Sequence, residues 1–126
     1  MQPHARVLVA DDDAQLLSTV ADALALLGAD VTRAASGAEL IDALASAGPF
    51  DLVITDVSMP WMSGLRAMHN ARAAGLGTAI IVMTALQDKT LARQVRALGR
   101  NATLLRKPFA LSDLESAATK LLPRDS

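Results

Sequence analysis

The feature that most constrains the fold of this chain is an alternation of short apolar runs with segments of helical spacing. Clear runs occupy 7–10, 52–54, 79–83 and 104–105, and a weaker, alanine-rich one surrounds Val31 and Thr32. These runs do not alternate apolar with polar residues, which is typical of strands covered on both faces. Between them apolar residues recur at helical spacing, most clearly at Leu16, Leu17, Val20, Leu24 and Leu27. The alternation predicts an α/β fold, a parallel sheet joined by right-handed crossovers with helices on both faces.

Local signals mark where several helices begin and end. Two serine and glutamate pairs fit the capping box, in which both side chains satisfy unpaired amides of a first turn. They are Ser36 with Glu39 and Ser112 with Glu115. Glycines stand at three predicted helix ends, at Gly28, Gly48 and Gly99. A chain of 126 residues that no linker or repeat interrupts has about the commonest length of one domain, so a single domain over 1–126 is expected.

Composition and charge exclude several classes of function. The chain has no Cys, which excludes disulfides, thiolate metal sites and thiol nucleophiles. With a formal net charge of −1 the chain has no excess of positive charge with which to bind a phosphate backbone, so direct nucleic-acid binding is not expected. No signal segment or membrane-spanning apolar run is visible, so the expected protein is soluble and cytoplasmic, without membrane contact.

Polar side chains collect at the predicted carboxyl ends of the strands, where sheets of this class bind ligands. They are Asp11, Asp12 and Asp13 after the first strand, Asp56, Thr84 and Lys107 at the ends of the third, fourth and fifth. Two carboxylates ~4 Å apart repel by roughly 4 kcal/mol at an effective dielectric of 20, so such a group calls for a cation. Oxygen ligands favour Mg²⁺ or Mn²⁺ over Zn²⁺. Asp13 is interpreted differently, as the cap of the first helix.

The same residues suit a phosphoacceptor. A metal and the Lys107 ammonium together would offset the charge of a phosphorylated Asp56, while the Thr84 hydroxyl would donate to a phosphoryl oxygen. Residues of these types at the ends of four separate strands are not expected to meet by chance.

The sequence resembles the receiver domains of bacterial response regulators from about residue 6 to 122. The matching segments are 9–13, 51–60, 62–64, 84–85 and 107–109. Five matches in order and at familiar spacing are specific, whereas one alone would be weak. The resemblance implies a single receiver domain with a flavodoxin/CheY-like fold, in which five helices doubly wind a five-stranded parallel sheet of order 2-1-3-4-5.

The resemblance also implies who donates the phosphoryl group and what holds the metal. Asp56 would take the group from a phosphohistidine on a histidine kinase or histidine phosphotransfer protein. Mg²⁺, for which Mn²⁺ can substitute, would be bound directly by Asp12, Asp56 and the backbone carbonyl of Ser58. Asp11 would hold the metal mainly through a water.

The resemblance implies that the chain acts as a switch and does not turn over a substrate. It is therefore expected to be a signalling phosphoacceptor and not an enzyme acting on other molecules. Thr84 and Lys107 would hold the phosphoryl oxygens, and the Lys107–Pro108 bond would be cis. Movement of Thr84 would bias two arrangements of the helix after the fourth strand, the fifth strand and the last helix. Leu104 occupies the switch position where the family usually carries Tyr or Phe. The chain would act as a monomer or weak dimer on a downstream effector or output domain that the sequence does not identify.

Three other classes of protein remain as alternatives. A phosphatase of the haloacid-dehalogenase type would use Asp11 as nucleophile, but no acidic pair follows Lys107 as that family requires, and 126 residues leave no room for a cap. A pseudo-receiver that works without phosphorylation stays open because of Leu104. A flavodoxin-like carrier is disfavoured, since an acidic first loop would repel a flavin phosphate.

Overall fold

Five strands and four helices make up the part of the chain that this computed structural model describes, residues 4–57, 68, 78–85 and 89–122. In chain order they are β1 (Arg6–Ala10), α1 (Ala14–Leu26), β2 (Asp30–Ala34), α2 (Gly37–Ser46), β3 (Leu52–Asp56), β4 (Ala79–Thr84), α3 (Lys89–Arg96), β5 (Ala102–Arg106) and α4 (Leu111–Leu121). All five predicted strands are confirmed, including the weak one at Val31. The remaining predicted helix would fall within residues 58–77, of which the structure describes Met68, a buried residue in helical conformation.

The strands form one parallel sheet in the order β2-β1-β3-β4-β5, as predicted. The connections change direction between β1 and β3, which makes the edge beyond the carboxyl ends of these two strands the expected ligand site. In the register of this pair Ala10 lies opposite Thr55. Asp11 and Asp56 therefore leave neighbouring strands at the same level.

Aliphatic side chains form a core layer on each face of the sheet. Leu8 and Val53 point to the face covered by α2 and α3, whereas Val9 and Ile54 point to the face covered by α1 and α4. All four side chains are fully buried. Both faces of the central strands are thus covered, which explains why their sequences do not alternate. Among the described residues, no helix has the length and apolar character that a membrane span requires.

The helix starts agree with the sequence at one capping box and disagree at the other. Ser36 Oγ accepts a hydrogen bond from the Glu39 amide at 3.1 Å, which confirms the helix start predicted at Ser36. At α4 the start predicted at Ser112 is wrong, because Ala110 is the N-cap residue and makes no side-chain cap bond. The Ala110 carbonyl accepts the first backbone bonds of α4, so Ser112 already lies inside the first turn.

Two of the predicted helix stops rest on glycine geometry. Gly28 and Gly99 follow α1 and α3 with φ of 96° and 117°. This left-handed backbone is costly for residues with a Cβ, which is why glycine ends these helices. Gly48 follows α2 and precedes Pro49 in a cis peptide bond that the sequence did not predict.

Arg6 ties the loop that leads into β3 to the start of β1. Its guanidinium donates to the carbonyls of Ala47 at 2.6 Å and Pro49 at 3.0 Å, and lies 5.1 Å from the centre of the Phe50 ring. Its backbone amide donates to Asp51 Oδ2 at 2.8 Å. These contacts hold the amino end of β3 beside β1, and so contribute to the register that places Asp56.

Candidate functional site

Three carboxylates meet at the carboxyl edge of the sheet. Asp11 follows β1 and is fully buried, Asp56 ends β3 with 8% exposure, and Asp12 is exposed. One oxygen from each lies within 4.8 Å of the other two. This set of hard oxygen donors, open to solvent on the Asp12 side, fits a small divalent cation such as Mg²⁺.

Lys107 brings a fixed cation to the same place. Its Nζ lies 2.8 Å from Asp11 Oδ2 and 3.3 Å from Asp56 Oδ1. Its backbone amide donates to the Thr84 carbonyl at 2.7 Å, which joins the ends of β4 and β5. The Lys107–Pro108 bond is cis, as predicted. One ammonium therefore faces two carboxylates, and the site retains negative charge for a further cation to offset.

The buried position of Asp56 changes its acidity. Burial raises the pKa of Asp56 and the Asp11 charge raises it further, while Lys107 and the Val57 amide, 3.0 Å from Oδ1, act in the opposite direction without cancelling the increase. Burial acts to lower the pKa of Lys107, but its hydrogen bond to Asp11 and the two carboxylate charges raise that pKa overall. Without a bound metal, ionised Asp56 is therefore held at a cost in folding free energy.

Replacing Asp56 by Asn is expected to stabilise the metal-free protein by on the order of 1 kcal/mol, because the amide removes a buried charge. The raised pKa means that folded protein binds the Asp56 proton more tightly than unfolded protein. Wild type should therefore lose stability relative to the variant as pH rises above the ordinary value of 3.8. Thermal unfolding with a chelator across this pH range measures the difference.

Asp42→Asn on α2 is the matched control, since Asp42 is exposed and the substitution is the same. A gain independent of pH at position 56, or an equal gain at position 42, would contradict the assignment of the cost to the buried Asp56 charge.

Asp13 caps α1, as the sequence predicted. Its Oδ1 accepts from the amides of Gln15 at 3.1 Å and Leu16 at 3.2 Å. Its own amide donates to Asp11 Oδ1 at 2.9 Å, which helps to orient that carboxylate. Asp13 therefore acts on the helix with its side chain and on the site with its backbone.

Asp13→Ala is expected to cost about 1 kcal/mol of stability, because two amides of the first turn lose their acceptor. Mg²⁺ affinity should change by less than about twofold, because the backbone contact to Asp11 survives the substitution. Chemical denaturation and titration calorimetry give the two quantities, and Asp13→Asn, which keeps a capping oxygen, is the control. A large loss of Mg²⁺ affinity in both variants would make Asp13 a ligand instead.

The predicted switch residues lie on neighbouring strands. Thr84 ends β4 and is fully buried, one position beyond Met83, which pairs with Asp56. Leu104 is half-buried in β5 and packs against the core on the α3 side. Ser58, the predicted carbonyl ligand, lies outside the described residues.

An apolar hollow of about 330 Å³ adjoins the site. Its lining consists of Asp13, Leu16, Ala85, Lys107, Pro108 and Phe109. It lies between α1 and the connection from β5 to α4. We did not predict from the sequence that the side chains of Leu16 and Phe109 line a hollow beside the site. Their positions in the chain could have indicated it, because Leu16 lies one helical turn after Asp13 and Phe109 directly follows Pro108.

Comparisons with known sequences agree with this geometry. A family model described as the response regulator receiver domain matches residues 7–119. Response regulator MprA of Mycobacterium sp. (strain KMS) is 35% identical over 122 residues, which cover 96% of this chain and 52% of that protein. The chain spans about half the length of the curated relatives it matches.

Solved structures give the same result. The receiver domain of the Francisella response regulator 1452 has a TM-score of 0.85 and 25% identity, covering 94% of this chain and 96% of that one. The chemotaxis response regulator CheY4 of Vibrio cholerae has a TM-score of 0.83 and 30% identity, covering 94% and 99%. The similarity in both cases extends over nearly the whole sheet and its helices.

Proposed function

Because this chain belongs to the response regulator receiver domain family of two-component systems, we propose that Asp56 accepts a phosphoryl group from a phosphohistidine on a histidine kinase or phosphotransfer protein. The observation that carries the proposal is the convergence of Asp11, Asp12 and Asp56 within 4.8 Å, with the Lys107 ammonium against two of them. Such a site combines a nucleophile with groups that offset the charge of a phosphoryl group.

The metal in this proposal is Mg²⁺, with Mn²⁺ as a substitute. The carboxylates of Asp11, Asp12 and Asp56 would hold it, and the carbonyl of Ser58 is a further proposed ligand. When bound, the metal neutralises negative charge on the phosphoryl oxygens during transfer.

The residues of the chain have separate tasks in the transfer. A carboxylate oxygen of Asp56 attacks phosphorus, the bond from phosphorus to the donor nitrogen breaks, and an acyl phosphate forms. The Val57 amide orients the Asp56 carboxylate through the bond at 3.0 Å. Lys107 and the Thr84 hydroxyl hold the phosphoryl oxygens in the product. The chain thus catalyses only its own phosphorylation and dephosphorylation and remains a signalling protein.

Phosphorylation of Asp56 would signal by changing the protein surface formed by α3, β5 and α4. A phosphoryl group adds a charge of about −2 beside Asp56 and attracts Thr84. Leu104, packed beside the core on the α3 side, would fill space that Thr84 vacates. The resulting shift of α3, β5 and α4 would be read by a downstream effector or output domain.

We also propose the extent of the receiver unit, its cellular compartment, its oligomeric state and the surface that receives the phosphodonor. One receiver unit with its core over about residues 6–122 would act in the cytoplasm, as a monomer or weak dimer. The apolar hollow beside Leu16 and Phe109 would receive the phosphodonor, so that its phosphohistidine reaches the carboxylates next to the hollow.

A phosphatase of the haloacid-dehalogenase type would instead use Asp11 as nucleophile. Asp11 is fully buried and its Oδ2 is paired with Lys107 at 2.8 Å, which favours Asp56 for this role. Reducing the acyl phosphate with borohydride converts the modified aspartate to homoserine, and peptide mapping then identifies the residue. We expect homoserine at position 56. Homoserine at position 11, or sustained hydrolysis of phosphate esters, would overturn the proposal.

A further inference from the structure

Thr55 is a buried polar residue that has no part in the phosphoryl transfer proposed above. Among the described residues four polar or charged side chains are buried, and the other three, Asp11, Asp56 and Thr84, belong to the candidate site. Thr55 lies in β3 directly before Asp56 and is fully buried. Taking a hydroxyl out of water costs free energy unless the hydroxyl is hydrogen-bonded. The fourth buried polar group thus stands next to the proposed phosphoacceptor and needs an explanation.

Packing alone does not explain a threonine at this position. In the register of the sheet Thr55 lies between Ala10 of β1 and Val82 of β4, and both belong to the aliphatic core layer on the side of α2 and α3. Valine is branched in the same way as threonine and would fill this space without burying a hydroxyl. The hydroxyl is therefore the part of the side chain whose role packing leaves open.

The Thr55 hydroxyl holds the peptide bond that joins Asp56 to Val57. Thr55 Oγ1 donates to the Asp56 carbonyl at 3.0 Å. The N–H group of the same peptide belongs to Val57, whose nitrogen lies 2.9 Å from the Met83 carbonyl oxygen and 3.0 Å from Asp56 Oδ1. Both ends of this peptide are thus hydrogen-bonded, so a rotation of its plane would weaken contacts on both sides.

The same peptide orients the Asp56 carboxylate. Asp56 Oδ1 accepts from the Val57 amide and lies 3.3 Å from Lys107 Nζ, so two donors act on one oxygen and define the rotation of the carboxylate. A donor to a peptide carbonyl polarises the amide, and this strengthens the hydrogen bond that the N–H group makes. The Thr55 hydroxyl therefore acts on the Asp56 carboxylate through the peptide bond after Asp56.

We propose that Thr55 is a positioning residue for phosphoryl transfer to Asp56. Its hydroxyl fixes the peptide between Asp56 and Val57, and the Val57 amide then fixes the carboxylate in the orientation in which it attacks phosphorus. Orientation matters for the rate, since a misplacement of about 1 Å can slow a reaction by about a hundredfold. The inference rests on the proposed function, because it requires Asp56 to be the phosphoacceptor, and it adds an uncharged residue of the strand to the reaction.

Three substitutions of Thr55 separate positioning from packing. Thr55→Val keeps the shape and removes the hydroxyl, Thr55→Ser keeps the hydroxyl and removes the methyl group, and Thr55→Ala removes both. The matched control is Thr32→Val, the same substitution in β2, where half-buried Thr32 pairs with Leu8 of the same core layer. Intact mass against time, with a small acyl phosphate donor and saturating Mg²⁺, gives the rate constant of phosphorylation. NMR of the metal-free, unphosphorylated protein gives the chemical shift of the Val57 amide proton.

We expect Thr55→Val to phosphorylate about tenfold more slowly than wild type, and Thr55→Ser to stay within about threefold. Thr55→Ala should be slower than Thr55→Ser by about the same tenfold, and Thr32→Val should change less than about twofold. The Val57 amide proton should move upfield in Thr55→Val and keep nearly its wild-type shift in Thr55→Ser, because a weaker hydrogen bond leaves an amide proton more shielded. A packing role predicts the reverse order, with Thr55→Ser more impaired than Thr55→Val.

Equal rates in Thr55→Val and wild type, an unchanged Val57 amide shift in Thr55→Val, or a greater loss in Thr55→Ser would overturn the inference. Should Thr55→Val fail to fold, the serine and alanine variants decide the question, since they differ by the hydroxyl alone, and equal rates in these two would overturn it. Failure of the proposed function looks different. Wild type itself would then take no phosphoryl group, which would contradict the role of Asp56 and the inference with it.

Discussion

Asp12→Asn is expected to slow phosphorylation of Asp56 by about a hundredfold or more and to weaken Mg²⁺ binding in parallel, because the metal loses a charged ligand. The large effect expected from substituting Asp12 follows from the position of its carboxylate. Its oxygen lies within 4.8 Å of Asp11 and Asp56, yet the structure pairs Lys107 with those two carboxylates and not with Asp12. Asp12 is also the exposed member of the three, so a cation arriving from solvent meets it first.

The matched control for this experiment is Asp13→Asn, the same substitution one position along the chain. It keeps the capping oxygen and the backbone contact to Asp11, so phosphorylation should stay near the wild-type rate. Rates come from intact mass against time at several Mg²⁺ concentrations. A wild-type rate and Mg²⁺ dependence for Asp12→Asn would remove Asp12 from the proposed metal site.

Lys107→Met is expected to destabilise the metal-free protein by about 3 kcal/mol, the range for breaking a buried ion pair. The Nζ of Lys107 is the cation that separates Asp11, which is fully buried, from Asp56, which is 8% exposed. Methionine keeps most of the length and removes the charge, so the two carboxylates would face each other unneutralised. Denaturant unfolding in the presence of a chelator measures the loss.

A second substitution separates this electrostatic cause from a packing defect. With a chelator present, Asp56→Asn should stabilise the Lys107→Met protein by more than the gain of about 1 kcal/mol that it gives wild type, because it removes one of the two facing charges. Lys120→Met, at an exposed position on α4, is the control and should change little. An equal gain from Asp56→Asn in both backgrounds would show that packing, and not charge, explains the role of Lys107.

Most of the fold was predictable because the residues of each segment themselves indicate whether that segment is buried. Buried strands such as β3 and β4 require unbroken apolar runs, and these are visible in a single sequence. The start of α4 was not predictable in the same way. Ser112 and Glu115 have the capping spacing, but the path of the chain after Pro108 decides which residue comes first, and Ala110 takes the cap position.

The candidate site was predictable to the level of strand ends and no further. The positions of Asp11, Asp56 and Lys107 after apolar runs predict that they share one edge of the sheet. The direct contact between Lys107 and Asp11 joins residues 96 positions apart and depends on side-chain geometry that no local pattern encodes. The formal net charge is a similarly limited guide to where the charges lie. Its value of −1 gives no sign of a basic region, yet residues 89–107 include six Lys and Arg residues and no Asp or Glu.

The most direct test of the central claim is the intact mass of the protein after incubation with a small acyl phosphate donor. Wild type with Mg²⁺, wild type with a chelator, and Asp56→Asn with Mg²⁺ are compared over the same times. The account predicts addition of one phosphoryl group in the first sample and in neither of the others. Addition to Asp56→Asn at the wild-type level, or addition that persists without a divalent metal, would contradict it.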